Sequence, residues 1–298
     1  MKKLTSLVVV LFSALLAVQA QDYTFKVLAS KGSNEVKSAG TWQALKTGAS
    51  LNSGDELKLA ENAYLGLVHA SGKPMELKQS GNYKIADLAA KMNGGSSVLN
   101  KYTDFILSSN SAEAKKNRLS ATGAVHRGEG DAIELYLPDN QFSGIYGNKV
   151  ILSWDSKAAG VYVIELQNMF EDILARYETA EKSYTVDLSD PKLADKDLNA
   201  IMVKVSMKND AKQTSSMKMI KRLSADEEKK VKSSLNELAP IIAEETAINK
   251  YYLAAFFEQN NLMVDAITAY QEAVKLAPSF KEDYDDFLIR KGMKKPKQ

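Results

Sequence analysis

Cysteine is absent from this sequence. That excludes a disulfide framework, a thiolate metal site and a lipid-attachment thiol, so stability must come from buried apolar surface. Histidine is nearly absent: His69 and His126 are the only two, and they cannot build a metal site without recruiting carboxylates. His69 lies in a strand-like context that suits a structural role, and His126 reads as a surface residue of a linker. Gly-x-Ser-x-Gly, Walker and Rossmann patterns are missing. Asp55 and Glu56 follow Gly54 in a turn, and Asp283, Asp285 and Asp286 fall on a solvated helix face; neither group has the spacing of a calcium loop. The sequence therefore predicts no catalytic residue, no cofactor and no metal, and a function that is not enzymatic.

An excess of one charge is lacking too. The formal net charge is +2, and Lys2 and Lys3 account for it, which argues against a nucleic-acid partner. Only one long apolar run occurs, residues 4–18, bracketed by Lys2-Lys3 and by the small-x-small site Val18-Gln19-Ala20. It is short for a membrane span and reads as a secretory signal over residues 1–20, cut before Gln21. The expected location is periplasmic or secreted, without stable membrane insertion. The remaining length is enough for two or three small domains.

What is present divides by period. Over residues 21–92, apolar residues alternate between glycine-marked turns: Trp42, Leu45, Gly48, Leu51, Gly54-Asp55, then Ala63-Tyr64-Leu65-Gly66-Leu67, Ser71-Gly72, Leu77 and Gly81. This predicts a small all-β module ending near Ile85. Val98, Leu99, Tyr102, Phe105 and Ile106 then mark one face of a helix, inside a segment, 93–130, that otherwise reads as a linker. From 131 to 223 six apolar stretches read as strands, among them Val150-Ile151-Leu152-Ser153-Trp154 and Val161-Tyr162-Val163-Ile164-Glu165-Leu166, and predict a β-sandwich. Ser224-Ala225-Asp226-Glu227 has the form of a capping box, and 224–298 is helical up to a basic tail. The expected fold class is multidomain: an all-β module, a β-sandwich and an all-α helical-repeat C-terminus.

Three resemblances follow from these residues. The order "V…G…W..L..G..L..GDEL" with the Ala-Tyr-Leu-Gly-Leu strand is similar to the FecR-type periplasmic domain over residues 25–90. Ser71-Gly72 stands where that family has Asp-Gly, and Lys58-Leu59-Ala60-Glu61 replaces Thr-Gly. The "LSW…G.Y.IEL…YTVDL" order resembles fibronectin type III and immunoglobulin-like domains, with Trp154 as core tryptophan. Leu253-Ala254, Phe257, Ala266, Tyr270, Ala273 and Pro278 resemble one tetratricopeptide repeat, with Lys250 at the usual tryptophan position. A lone repeat cannot bury its faces, so the helices before Pro240 and over 280–288 are expected to cap it.

These resemblances imply a non-catalytic adaptor or scaffold that holds an envelope component or a protein partner, with a protein segment docked on the helical unit. Two alternatives are a cell-wall glycan or peptidoglycan binder, with Trp42 and Tyr64 as stacking platforms, and an envelope signalling protein related to FecR-type regulators. Candidate partner-binding residues are Trp42, Tyr64, Lys250 and Tyr251. The basic series Lys204, Lys208, Lys212, Lys218, Lys221 and Arg222 could face phosphate groups or form a solvated hairpin face.

Overall fold

The structure is a computed structural model that describes residues 23–92, 98–111, 114, 132–194, 198–240 and 242–296. The expected signal segment over residues 1–20, most of the expected linker and His126 lie outside the described residues. The described chain is β-rich in its first two thirds and helical at its C-terminal end.

Two four-stranded sheets form the N-terminal part. The first has the order β4 (Ser50–Leu51), β1 (Phe25–Lys31), β6 (Tyr64–His69), β7 (Pro74–Leu77). The second runs β3 (Thr41–Ala44), β2 (Asn34–Ser38), β5 (Glu56–Leu59), β8 (Gly81–Lys84). All their pairings are antiparallel. Alternation explains how they face one another: Phe25, Val27, Leu65 and Leu67 of the first sheet and Val36, Leu57 and Leu59 of the second share one apolar interior. The short helix α1 (Ile85–Ala90) closes it with Ile85 and Leu88. A register shift between Val27 and Ala29 turns Leu28 and Ala29 to the other side of the sheet, into the main core of the molecule.

The middle region has a sheet of order β10 (Gly144–Ile145), β17 (Lys218–Arg222), β15 (Ala200–Met207), β12 (Tyr162–Gln167), β13 (Ile173–Thr179), with β16 (Asp210–Thr214) on β15. A second sheet runs β14 (Ser183–Asp187), β11 (Lys149–Ser156), β9 (Ile133–Leu135). The Trp154 ring of β11 meets the Tyr162 ring of β12 edge to face at 5.3 Å, so the two sheets share an interior. Strand β13 was not expected from the pattern. Only Ala175 in it is buried, and it therefore lacks the apolar stripe that announces a half-buried strand.

Helix α2 (Val98–Ser109) precedes the middle region; α3 (Ala225–Leu238), α4 (Ala247–Gln259), α5 (Met263–Leu276) and α6 (Lys281–Arg290) follow it. Ser224 caps α3 with the expected reciprocal bonds to Glu227. Helix α2, whose apolar face the spacing predicts, packs into the core: its Leu99, Tyr102 and Ile106 are buried, and Thr103 Oγ1 bonds Tyr252 Oη at 2.7 Å. One expectation is corrected here. Helix α3 buries only Leu238 and does little to cap α4 and α5. The segment over 280–288 does cover them, with Phe280 against Tyr251 and Phe287 stacked on Tyr270, and the β parts add to it: strand β11 lies along α5, and sheet residues Gly66 and Glu76 meet the start of α4.

Gly66 makes that last contact possible. A Cβ added there would lie 3.0 Å from Ile248 Cδ1 and 3.4 Å from Tyr64 Cε1. Gly66→Val is expected to lower stability by about 1–3 kcal/mol through overpacking. Gly54→Ala, at an open site, is expected to stay within about 0.5 kcal/mol. Urea denaturation of the two variants checks this; equal effects would show that α4 does not bear on the sheet at Gly66.

Candidate partner-binding surfaces

Three of the four candidate binding residues lie inside the fold. Tyr64 is 5% exposed: its hydroxyl donates to Glu76 Oε2 at 3.0 Å and its ring meets Phe280 edge to face at 5.2 Å. Burial, followed by the Glu76 charge, pushes its pKa up. It cannot serve as a stacking platform, because helical residues already cover its ring. Tyr251 is buried against Tyr270 and Phe280 and accepts a hydrogen bond from Asn110. Tyr252 and Phe256 are equally interior, so these aromatics fill the space between helices and line no open groove. Lys250 is held by Glu245 at 2.7 Å and Glu272 at 3.0 Å, and Glu272 also pairs with Lys149 of β11 at 2.5 Å. Burial opposes the charge on Lys250, but its bonds to the two glutamates outweigh it and hold the pKa above the usual lysine value.

Trp42 differs. It is 40% exposed on edge strand β3, with the Lys37 and Lys58 ammonium groups 6.0 and 5.9 Å from its ring centroid. Lys37 pairs with Glu56 at 3.8 Å and Lys58 with Glu35 at 3.3 Å. Trp42 is therefore an exposed aromatic ring on a polar, ion-paired sheet face and not a core tryptophan.

A second surface was not anticipated. The turn joining β12 to β13 carries Met169 at 68% and Phe170 at 86% exposure, followed by Ile173 at 47%. The turn is bonded throughout. Asn168 Oδ1 accepts from the amides of Phe170 (2.8 Å) and Asp172 (2.9 Å), and the Asn168 amide donates to the Asp172 carbonyl at 3.0 Å. Glu171 takes the left-handed conformation with φ 68°. A large apolar side chain on a turn costs solvation free energy, and here the backbone bonding holds it out in water. The signal in the sequence is the pair Met169-Phe170 beside Asn168, in a place where turns are polar.

The remaining candidates are absorbed structurally. In the basic series, Lys204 meets Glu165 (3.5 Å), Lys208 meets Glu178 (2.8 Å) and Lys218 meets Asp139 (3.4 Å), while Arg222 donates to the carbonyls of Leu188 and Leu193. Those four side chains belong to the paired surface of a sheet. Asp55 is buried and accepts from the Asn52 amide at 2.7 Å, which makes its turn structural. His69 bonds Ser71 through Nδ1 at 2.8 Å and abuts Phe25, with its pKa lowered by desolvation.

A buried carboxylate outside the candidate set ties the helices to the middle sheets. Asp265, 4% exposed at the start of α5, accepts from the amides of Tyr146 and Gly147, both at 2.8 Å. A Cβ at Gly147 would lie 3.1 Å from its Oδ1, so glycine leaves the carboxylate room to enter.

No family model matches this chain, and no curated protein matches it. Its reading therefore rests on its own residues.

Asp265 makes a pH-dependence testable. Burial raises its pKa to about 6 against the two amide bonds. The folded protein then takes up this proton before the unfolded chain does. The Asp265 contribution to stability should accordingly rise as pH falls from about 6 to about 4, by at most ~1.4 kcal/mol per pH unit. Glu165, Glu272 and Asp285 have lowered values, despite burial acting to raise them, because of their hydrogen bonds to cationic or amide partners. They lose stabilisation as pH falls, equally in wild type and variant. Chemical denaturation of wild type and Asp265→Asn at several pH values isolates the Asp265 share; a difference that does not change with pH would contradict it.

Proposed function

We propose that this protein is a secreted or periplasmic adaptor without chemistry of its own, built to hold a protein partner of the cell envelope. The observation that carries the reading is the Phe170 turn. An apolar side chain this exposed, on a turn held by five hydrogen bonds, is pre-organised for insertion into a partner's pocket. A pre-organised anchor saves the ordering cost that a mobile loop would incur on binding, and single buried aromatics commonly dominate such interfaces.

Within this reading the N-terminal sheets are a FecR-like module and the middle sheets an immunoglobulin-like sandwich. Their shared interior around Trp154 and Tyr162 supports the second assignment. Helices α4 and α5 form a tetratricopeptide-like pair: Ala254, Ala266 and Ala273 are fully buried, as close helix packing needs. Docking of a partner in a groove of that pair is not favoured, because ten of the thirteen residues of α4 are buried within this chain. The adaptor would instead present its surfaces on the β parts. Among the described residues no helix is long and apolar enough to cross a membrane.

Photo-crosslinking tests the proposal. A photoreactive amino acid at position 169 should yield a discrete adduct with an envelope protein in intact cells. The same probe at exposed Lys229 should not, and Phe170→Asp should abolish the adduct. That substitution should leave thermal stability within about 0.5 kcal/mol of wild type, as expected of an exposed site. No adduct beyond the position-229 control, or an adduct that persists in Phe170→Asp, would overturn the reading.

A further inference from the structure

The sheet β3-β2-β5-β8 has an outer face that the adaptor reading does not use, and its strand register lays out what stands there. Residues directly opposite one another across paired strands share a face. Trp42 is opposite Lys37, Lys37 opposite Glu56, and Glu56 opposite Lys84. The next row is Ala44, Glu35, Lys58 and Asn82. Two parallel rows thus cross all four strands, each about 14 Å long at ~4.8 Å per strand. The residues between them on the two central strands, Val36 and Leu57, point into the core.

The first row begins with the only large apolar side chain of this face. It ends at a hollow of about 350 Å³ lined by Glu56, Asn82 and Lys84, with Asp87 of α1 and Lys91 just after that helix. Trp42 leans on two ammonium groups and remains 40% exposed, so a ring surface is left for a ligand. Lys37 and Lys58 each meet one carboxylate, and an ammonium group has three donors. Donors remain beside carboxylate acceptors along the whole row, with the two signs alternating.

Size and charge decide what fits. Two rows about 14 Å long and ~7 Å apart cover on the order of 100 Å². A stable protein interface needs about 800 Å² from each partner and an apolar centre; one tryptophan among ion pairs supplies neither. A polyanion is not matched either, because Glu35 and Glu56 stand between the lysines. A narrow, uncharged chain rich in hydroxyl or amide groups, with one flat C–H face, matches every feature.

We propose that this face is a carbohydrate-binding site for a neutral chain of pyranose sugars bearing hydroxyl or acetamido groups. One ring stacks on Trp42, and the following rings lie across Lys37 and Glu56 toward Asn82, Lys84 and the hollow beside α1. The site does not depend on the Phe170 turn, and either can fail without the other.

Tryptophan fluorescence reads this site directly. The chain has two tryptophans, and Trp154 is 2% exposed, so a soluble ligand meets Trp42 alone. Titration of the full secreted chain with uncharged hexose and N-acetylhexosamine oligomers of four to six units should give a saturable blue shift with at least one series. By calorimetry, Trp42→Ala should weaken that binding at least tenfold, Trp42→Phe should retain part of it, and Asn82→Ala should weaken it with Trp42 intact. Phe170→Asp should bind as wild type does. Circular dichroism of the variants guards against misfolding. Absence of a saturable shift with both series, wild-type affinity in Trp42→Ala, or binding restricted to a sulfated polyanion and lost with added salt would each overturn the proposal.

Discussion

Burial of helix α4 on nearly all sides is the constraint on which the rest of the structure depends. A helix apolar around its whole circumference has no stable place at a surface. Here its cover comes from three directions. Tyr102 and Thr103 of α2 meet Phe256 and Tyr252, and the first sheet brings Gly66 and Glu76 against Ile248. Helix α5 lies alongside, with Tyr270 against Tyr251. Each large side chain removed from water contributes roughly 1.5–3 kcal/mol, so these contacts decide which elements must be present together.

Polar contacts then fix the orientation that apolar contacts leave free. Glu258, inside the helical cluster, pairs with Arg290 at 2.7 Å and Lys291 at 3.2 Å, which ties α4 to α6. Asp265 reaches the Tyr146 and Gly147 amides, and Gln271 donates to the Ile151 carbonyl at 2.8 Å. Lys31 of β1 pairs with Glu282 of α6. Isolated surface pairs contribute little, but a buried carboxylate such as Glu258 is costly to leave unpaired. The helices therefore work as a joint between two β parts, which leaves the Trp42 ring and the Phe170 turn among the exposed apolar groups of the described residues.

Much of the fold was legible in the sequence because alternation and capping are local. The β-then-α order, the capping box at Ser224 and the buried Trp154 all follow from such signals. Strand β13 escaped because an edge strand with one buried residue has no stripe to show. The role of α2 escaped because its apolar face announces a helix without naming what it packs on. The candidate site was legible only in part. Tyr64, Lys250 and Tyr251 are residue types equally at home in a groove and in a joint, and only tertiary contacts with Phe280, Glu272 and Asn110 separate the two. Trp42 was visible as a candidate stacking platform, but its exposure depends on lying at the open edge of its sheet.

Such a helical joint makes the β parts and the helices one cooperative structure. Scanning calorimetry of the full chain measures this cooperativity. A single transition, with calorimetric and van't Hoff enthalpies equal, is the result this account predicts. Two separate transitions, with the N-terminal sheets melting apart from the helices and middle sheets, would contradict it.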